Sequence, residues 1–125
     1  MASLQQLEKK DWGDPDSAPT ALIKRCMQLT KIPITDFSIE DLRMMIAQGF
    51  GLTYLIPLAI EKLQENILAE GDLYPGDLLK SILEVDKSFW EENKQLLGDL
   101  KAIIEGHRDE IAHAGISFKN FDAIK

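Results

Sequence analysis

Cysteine is nearly missing from these 125 residues: Cys26 stands alone, which excludes an intrachain disulfide and any Cys-rich metal site. Histidine is almost as scarce. His107 and His113 are six positions apart, about 240° round a helix, so they do not converge on one metal from a single helix face. Glu110-Ile-Ala-His113 has the Glu-x-x-His spacing of di-iron bundles, but such sites need a second copy. Ile104 stands three residues before the other histidine, so that copy is lacking. Long apolar runs are missing too. The longest, Gly49 to Ile60, contains two glycines and a proline and is too short to span a bilayer. The first ten residues lack the apolar stretch of a secretory signal, so a cytoplasmic location is expected. There is no Gly-x-Ser-x-Gly, no phosphate-binding Gly-x-x-x-x-Gly-Lys loop, and only the first half of a dinucleotide fingerprint at Gly49-Phe50-Gly51. That half follows a helical pattern rather than a strand. No catalytic residue, no cofactor and no metal ligand is therefore assigned.

Positive charge is also in short supply. Fourteen Lys and Arg stand against 21 Asp and Glu, a formal net charge of -7. Nucleic acid and anionic membrane surfaces are held by cations, so no nucleic-acid and no membrane partner is expected. A basic protein is what such a field attracts, and the field speeds encounter more than it tightens the complex. The plainer reading is that moderate negative charge keeps a small domain dissolved.

What is present is ordinary for a globular chain: 45% apolar and 28% charged residues. One domain over 1–125 is expected, as a monomer or weak homodimer. Apolar positions recur at spacings of three and four throughout, and no segment alternates as a strand does. Ser3 suits a cap for a short helix carrying Leu4 and Leu7. A second helix over 20–30 places Leu22, Cys26 and Leu29 on one face, which makes Cys26 a small buried hydrophobe. Ser38 followed by Asp41 marks the start of a third, ended by Gly49. Leu52, Leu55, Ile56, Ala59, Ile60, Leu63 and Ile67 form the longest stripe and mark the central helix. Its interior does not suit Pro57, so a start near Thr53 or Tyr54 is expected, with the proline in the first turn. Pro75 suits the first position of the next helix, which carries Leu78, Leu79, Ile82 and Leu83. Asp86 suits a cap for a last long helix ending at Gly106. Residues 107–125 either dock through Ile116, Phe118 and Phe121 or fray as a loose tail. The fold class expected is all-α, a compact bundle of five to six helices.

The surface offers two places where carboxylates surround an aromatic side chain. Glu70, Asp72 and Asp77 accompany Tyr74 in the loop after the central helix, and Asp11 and Asp14 flank Trp12. Aromatic anchors within a charged rim are common in protein interfaces. The competing reading is that Trp12 and Tyr74 tuck beneath their loops while the acids form turns and caps.

Several segments, in order, resemble the immunity proteins of bacterial contact-dependent growth inhibition (CDI) systems. They are Asp11-Trp12-Gly13-Asp14-Pro15, Phe37-Ser38-Ile39-Glu40-Asp41-Leu42-Arg43, Ile46-Ala47-Gln48-Gly49, Gly51 to Ala59 and, most distinctively, Gly71-Asp72-Leu73-Tyr74-Pro75-Gly76-Asp77-Leu78-Leu79. The resemblance runs from about Leu4 to Leu83, with a looser echo at Phe89-Trp90. It implies a non-enzymatic cytoplasmic protein that binds the C-terminal domain of a cognate toxin and blocks its active site. Such toxins are often nucleases, hence basic. The family offers no catalytic residues to carry over, so Glu70, Asp72, Tyr74, Asp77, Asp11, Trp12 and Asp14 are toxin-binding candidates on surface chemistry alone. Two other classes stay open from the residues themselves: a metal-dependent helical-bundle enzyme using Glu110 and His113, and a helical adaptor or dimerising subunit.

Overall fold

The computed structural model describes residues 2–124, and among these the regular structure is helical, with two isolated β-bridges and no strand. Nine α-helices follow one another: α1 Leu4–Glu8, α2 Ala21–Leu29, α3 Ile39–Ala47, α4 Leu52–Glu65, α5 Asp77–Leu83, α6 Lys87–Glu92, α7 Lys94–Glu105, α8 Arg108–His113 and α9 Lys119–Asp122. Single 3-10 turns lie at Pro15–Ser17 and Ile34–Asp36. Five of the nine helices have seven residues or more, and these five correspond to the long amphipathic segments of the sequence.

The starts are chemically marked. Ser3 and Gln6 form a capping box at α1, and Ser38 and Asp41 form another at α3, with backbone-to-side-chain bonds of 3.1 and 3.0 Å. Thr20 Oγ1 accepts from Ile23 N at α2. The acids in the first turn of α3, Glu40 and Asp41, also match the positive end of the helix dipole.

The central helix α4 buries Leu55, Ile56, Ala59, Ile60 and Leu63, and Ile67 continues the stripe beyond its end. Each large aliphatic side chain removed from water contributes about 2 kcal/mol. Around α4 lie α3 and α7, and α5 lies along α3. Buried residues from Leu4 to Ile124 form one cluster. Cys26 is fully buried in it, and burial pushes its thiol pKa up, as expected of a packed rather than a reactive cysteine.

Four local expectations change. First, α4 begins at Leu52, one or two residues before the expected start, so the proline sits inside the helix and cannot donate to the Thr53 carbonyl. Second, Leu22 is 42% exposed although its helix buries Cys26, Met27 and Leu29. It lies in the first turn, outside the part of α2 that the core covers. Third, Pro75 does not open α5; Gly76, at φ +90°, intervenes as the N-cap. Fourth, the long helix after Asp86 is broken at Asn93. Asn93 Nδ2 donates to the Phe89 carbonyl at 2.8 Å, the bond its backbone N–H makes in an uninterrupted helix, and the backbone is then free to turn at φ -133°, ψ 57°.

The C-terminal segment contributes to the core. Ile111, Ile116 and Phe121 are buried, and Phe121 meets Trp90 edge to face at 5.3 Å. Arg108 spans from Glu105 to Asp122 and lies over the Phe118 ring at 4.9 Å. No helix among the described residues is long and apolar enough to cross a membrane.

Candidate functional site

The loop between α4 and α5 folds around the side chain that follows it. Asp77 Oδ1 accepts from Gly71 N at 2.7 Å, and Oδ2 accepts from Leu73 N at 3.0 Å and Tyr74 N at 3.5 Å. Asp77 N donates back to the Tyr74 carbonyl at 3.0 Å, and a bridge between Glu70 and Pro75 closes the loop. Backbone amides of a Gly- and Pro-containing turn have no helix or sheet to satisfy them, so one carboxylate replaces the missing ladder.

A second carboxylate fixes the loop from α3. Glu40 Oε1 accepts from Asp72 N at 2.9 Å and from Arg43 Nε at 2.7 Å, while Oε2 meets the guanidinium at 2.5 Å. This two-pronged pairing with Arg43 holds the Glu40 carboxyl below the usual carboxylate range against the opposing effect of burial. It raises the Arg43 pKa in turn. Arg43 Nε also lies 3.9 Å from Asp77 Oδ2, so one cation serves both carboxylates that hold the loop. Two glycines make the close approach possible. A Cβ on Gly71 would come within 2.6 Å of Glu40 Oε1 and 3.1 Å of the α3 backbone. One on Gly76 would strike the Ile116 side chain, and its φ of +90° already disfavours other residues.

With the amides turned inward, the side chains face out. Leu73 is 61% exposed and Tyr74 37%, and Glu70 and Asp72 are exposed beside them. Leu73 and Tyr74 form the lip of a groove of about 530 Å³ that runs between the end of α3, the start of α4 and α5. Ile46, Ala47, Leu52 and Val85 supply its apolar lining.

Asp77 is thereby corrected as a contact candidate. It is 2% exposed and its oxygens are occupied, so it shapes the loop from beneath. The Asp11–Asp14 segment is a separate feature, and none of its residues lines the groove. Trp12 is half-buried, its ring tilted at 52° against Phe50 with centroids 4.9 Å apart, and the Lys10 ammonium lies 3.9 Å from its ring centroid. Asp11 accepts from Gly13 N at 2.8 Å and meets Lys31 at 3.4 Å, and these partners lower its pKa, the Gly13 amide most. Asp14 caps the 3-10 turn through Asp16 N. Trp12 thus rests on Phe50, which packs against the core, and Asp11 and Asp14 hold a turn and a cap.

No site role was assigned to Leu73, Glu40 or Arg43 from the sequence, where they appear only within the segments that carry the family resemblance. Elsewhere, Glu110 faces His107 at 3.2 Å, and among the described residues no three His, Cys, Asp or Glu side chains converge as a metal site.

A family model described as CDI immunity proteins matches residues 6–100, about three quarters of the chain, including the whole loop and both carboxylates beneath it. No curated protein and no solved structure matches the chain.

Proposed function

The chain belongs to the family of CDI immunity proteins, and on that premise we propose that it neutralises a cognate toxin by binding the toxin's C-terminal domain and covering its active site. The reading is of a binder without chemistry of its own, acting in the cytoplasm of the cell it protects. The matched span carries it, because residues 6–100 contain the loop with Leu73 and Tyr74 at its tip.

The loop suits recognition for a physical reason. Its conformation is set by Asp77 and Glu40 before any partner arrives, so little ordering entropy is lost on binding. Tyr74 is a large, stiff anchor, and Glu70 and Asp72 supply an acidic rim around it. A net charge of -7 favours a basic partner, and a nuclease toxin, built to hold a polyanion, is the partner class we assign.

The test is protection. Cells expressing the toxin domain encoded in the neighbouring reading frame should survive when this protein is co-expressed, and the purified pair should co-elute. Toxin nuclease activity on plasmid DNA or tRNA should fall stoichiometrically as the protein is added. Death of the co-expressing cells, together with no complex by calorimetry, defeats the proposal.

A further inference from the structure

Leucine at a loop tip is a liability unless something covers it, and here the loop is not free to turn Leu73 inward. Gly71 N, Leu73 N and Tyr74 N are all committed to Asp77, and Asp72 N to Glu40. The exposed side chains border the groove of about 530 Å³, whose apolar lining includes Leu73, Tyr74, Ala47 and Leu52. From the groove geometry we infer that this cleft is the pocket into which the toxin inserts a short segment bearing one or two large apolar side chains with a Lys or Arg beside them. The inference rests on the toxin-binding reading above and adds where the partner enters and what chemistry it brings.

Size fits first. About 530 Å³ lies within the range of sites that take a small ligand or a few side chains. The exposure of Ala47, Gln48, Leu73, Tyr74 and Glu84 leaves the groove open along the surface, as a protruding peptide segment requires. Charge then selects the occupant. The two cations of the groove are already compensated: Arg43 by Glu40 and Asp77, and Lys80 by Glu84 at 3.4 Å. On the lip, Glu70 and Asp72 are exposed, and Asp72 interacts with Arg43 only beyond salt-bridge distance. Three carboxylates (Asp77, Glu84, Asp86) and those two cations line the groove itself, and Glu70 and Asp72 add two exposed acids beside its lip. An anionic segment is repelled, and so is a second copy of this acidic chain. A basic apolar segment satisfies both the lining and the lip.

Two variants test the pocket without touching the carboxylates beneath the loop. Ala47→Trp, at an exposed position in the last turn of α3, fills the groove; Leu73→Ser removes the lip. Each should weaken binding of the neighbouring toxin domain about 30-fold or more, mainly through faster dissociation, with circular dichroism and urea unfolding unchanged. Wild-type affinity in both variants overturns the pocket while leaving toxin neutralisation standing. Failure of the wild-type protein to bind the toxin overturns both. A wild-type dimer in sedimentation that Leu73→Ser dissolves would also overturn it, since the groove would then belong to a second copy.

Discussion

At the residue scale, Asp72 and Asp77 show how little side-chain identity says about role. Both are aspartates of a Gly- and Pro-containing turn, and the sequence treats them alike as exterior acids. The path of the backbone separates them: Asp72 is exposed while Asp77 is 2% exposed and holds two amides at 3.0 Å or closer. Leu73 is the converse case, apolar and outside. Asp77→Ala should therefore behave as a core change. Amides left without acceptors, and Arg43 with one carboxylate fewer, cost about 3 kcal/mol together. Urea unfolding should show that loss, and amide exchange at Gly71 and Leu73 should quicken; unchanged exchange would show that the loop holds itself. Glu40 gives a pH signature. Its folded pKa is depressed, so its contribution to stability is fully present above the ordinary carboxylate range and disappears as pH falls through the folded value. The stability difference between wild type and Glu40→Gln, measured by urea midpoints, should shrink towards zero in strong acid and be constant near neutrality.

At the element scale, the long helices were readable because their apolar spacing and their caps agree, as Ser38 with Asp41 and the α4 stripe illustrate. What was not readable depends on single backbone bonds. Asn93 breaks a continuous apolar pattern by substituting its amide for its own N–H, and Pro57 is tolerated inside α4 although local propensity puts it at an end. For the segment after Gly106 the sequence left docking and fraying open, and the structure shows docking. This segment lies beyond the family match, yet Ile116 is buried against Gly76 and Phe121 against Trp90. The loop is thus supported from three sides, by α3, by its own Asp77 and by the segment between α8 and α9. Ile116→Ala should leave a cavity under Gly76 and destabilise the protein by about 2–4 kcal/mol. If toxin affinity also drops at temperatures where the variant is still folded, the C-terminal segment positions the loop. If only stability changes, it is core and nothing more.

At the scale of the whole molecule, fold and charge act on different steps of one process. The apolar stripes are largely consumed in holding helices to each other, which leaves an acid-rich surface with Leu73 and Tyr74 exposed at the loop tip and Leu22 exposed apart from them. A net charge of -7 distributed over so small a body draws a basic partner from a distance, whereas Leu73 and Tyr74 act only once surfaces touch. The two contributions separate by ionic strength. The Debye length shrinks from about 30 Å at 0.01 M salt to about 8 Å at 0.15 M, so distant carboxylates stop steering while contacts at the loop tip are little screened. Association with the toxin domain should accordingly slow about tenfold over that range, with the dissociation rate nearly constant. Replacing Glu70 and Asp72 together by Lys should flatten this salt dependence without unfolding the protein, because neither side chain is buried. Stopped-flow or surface-based kinetics at four or five salt concentrations decide the matter. An association rate indifferent to salt would mean that the acid excess serves only to keep the molecule dispersed, and that recognition begins and ends at the apolar tip.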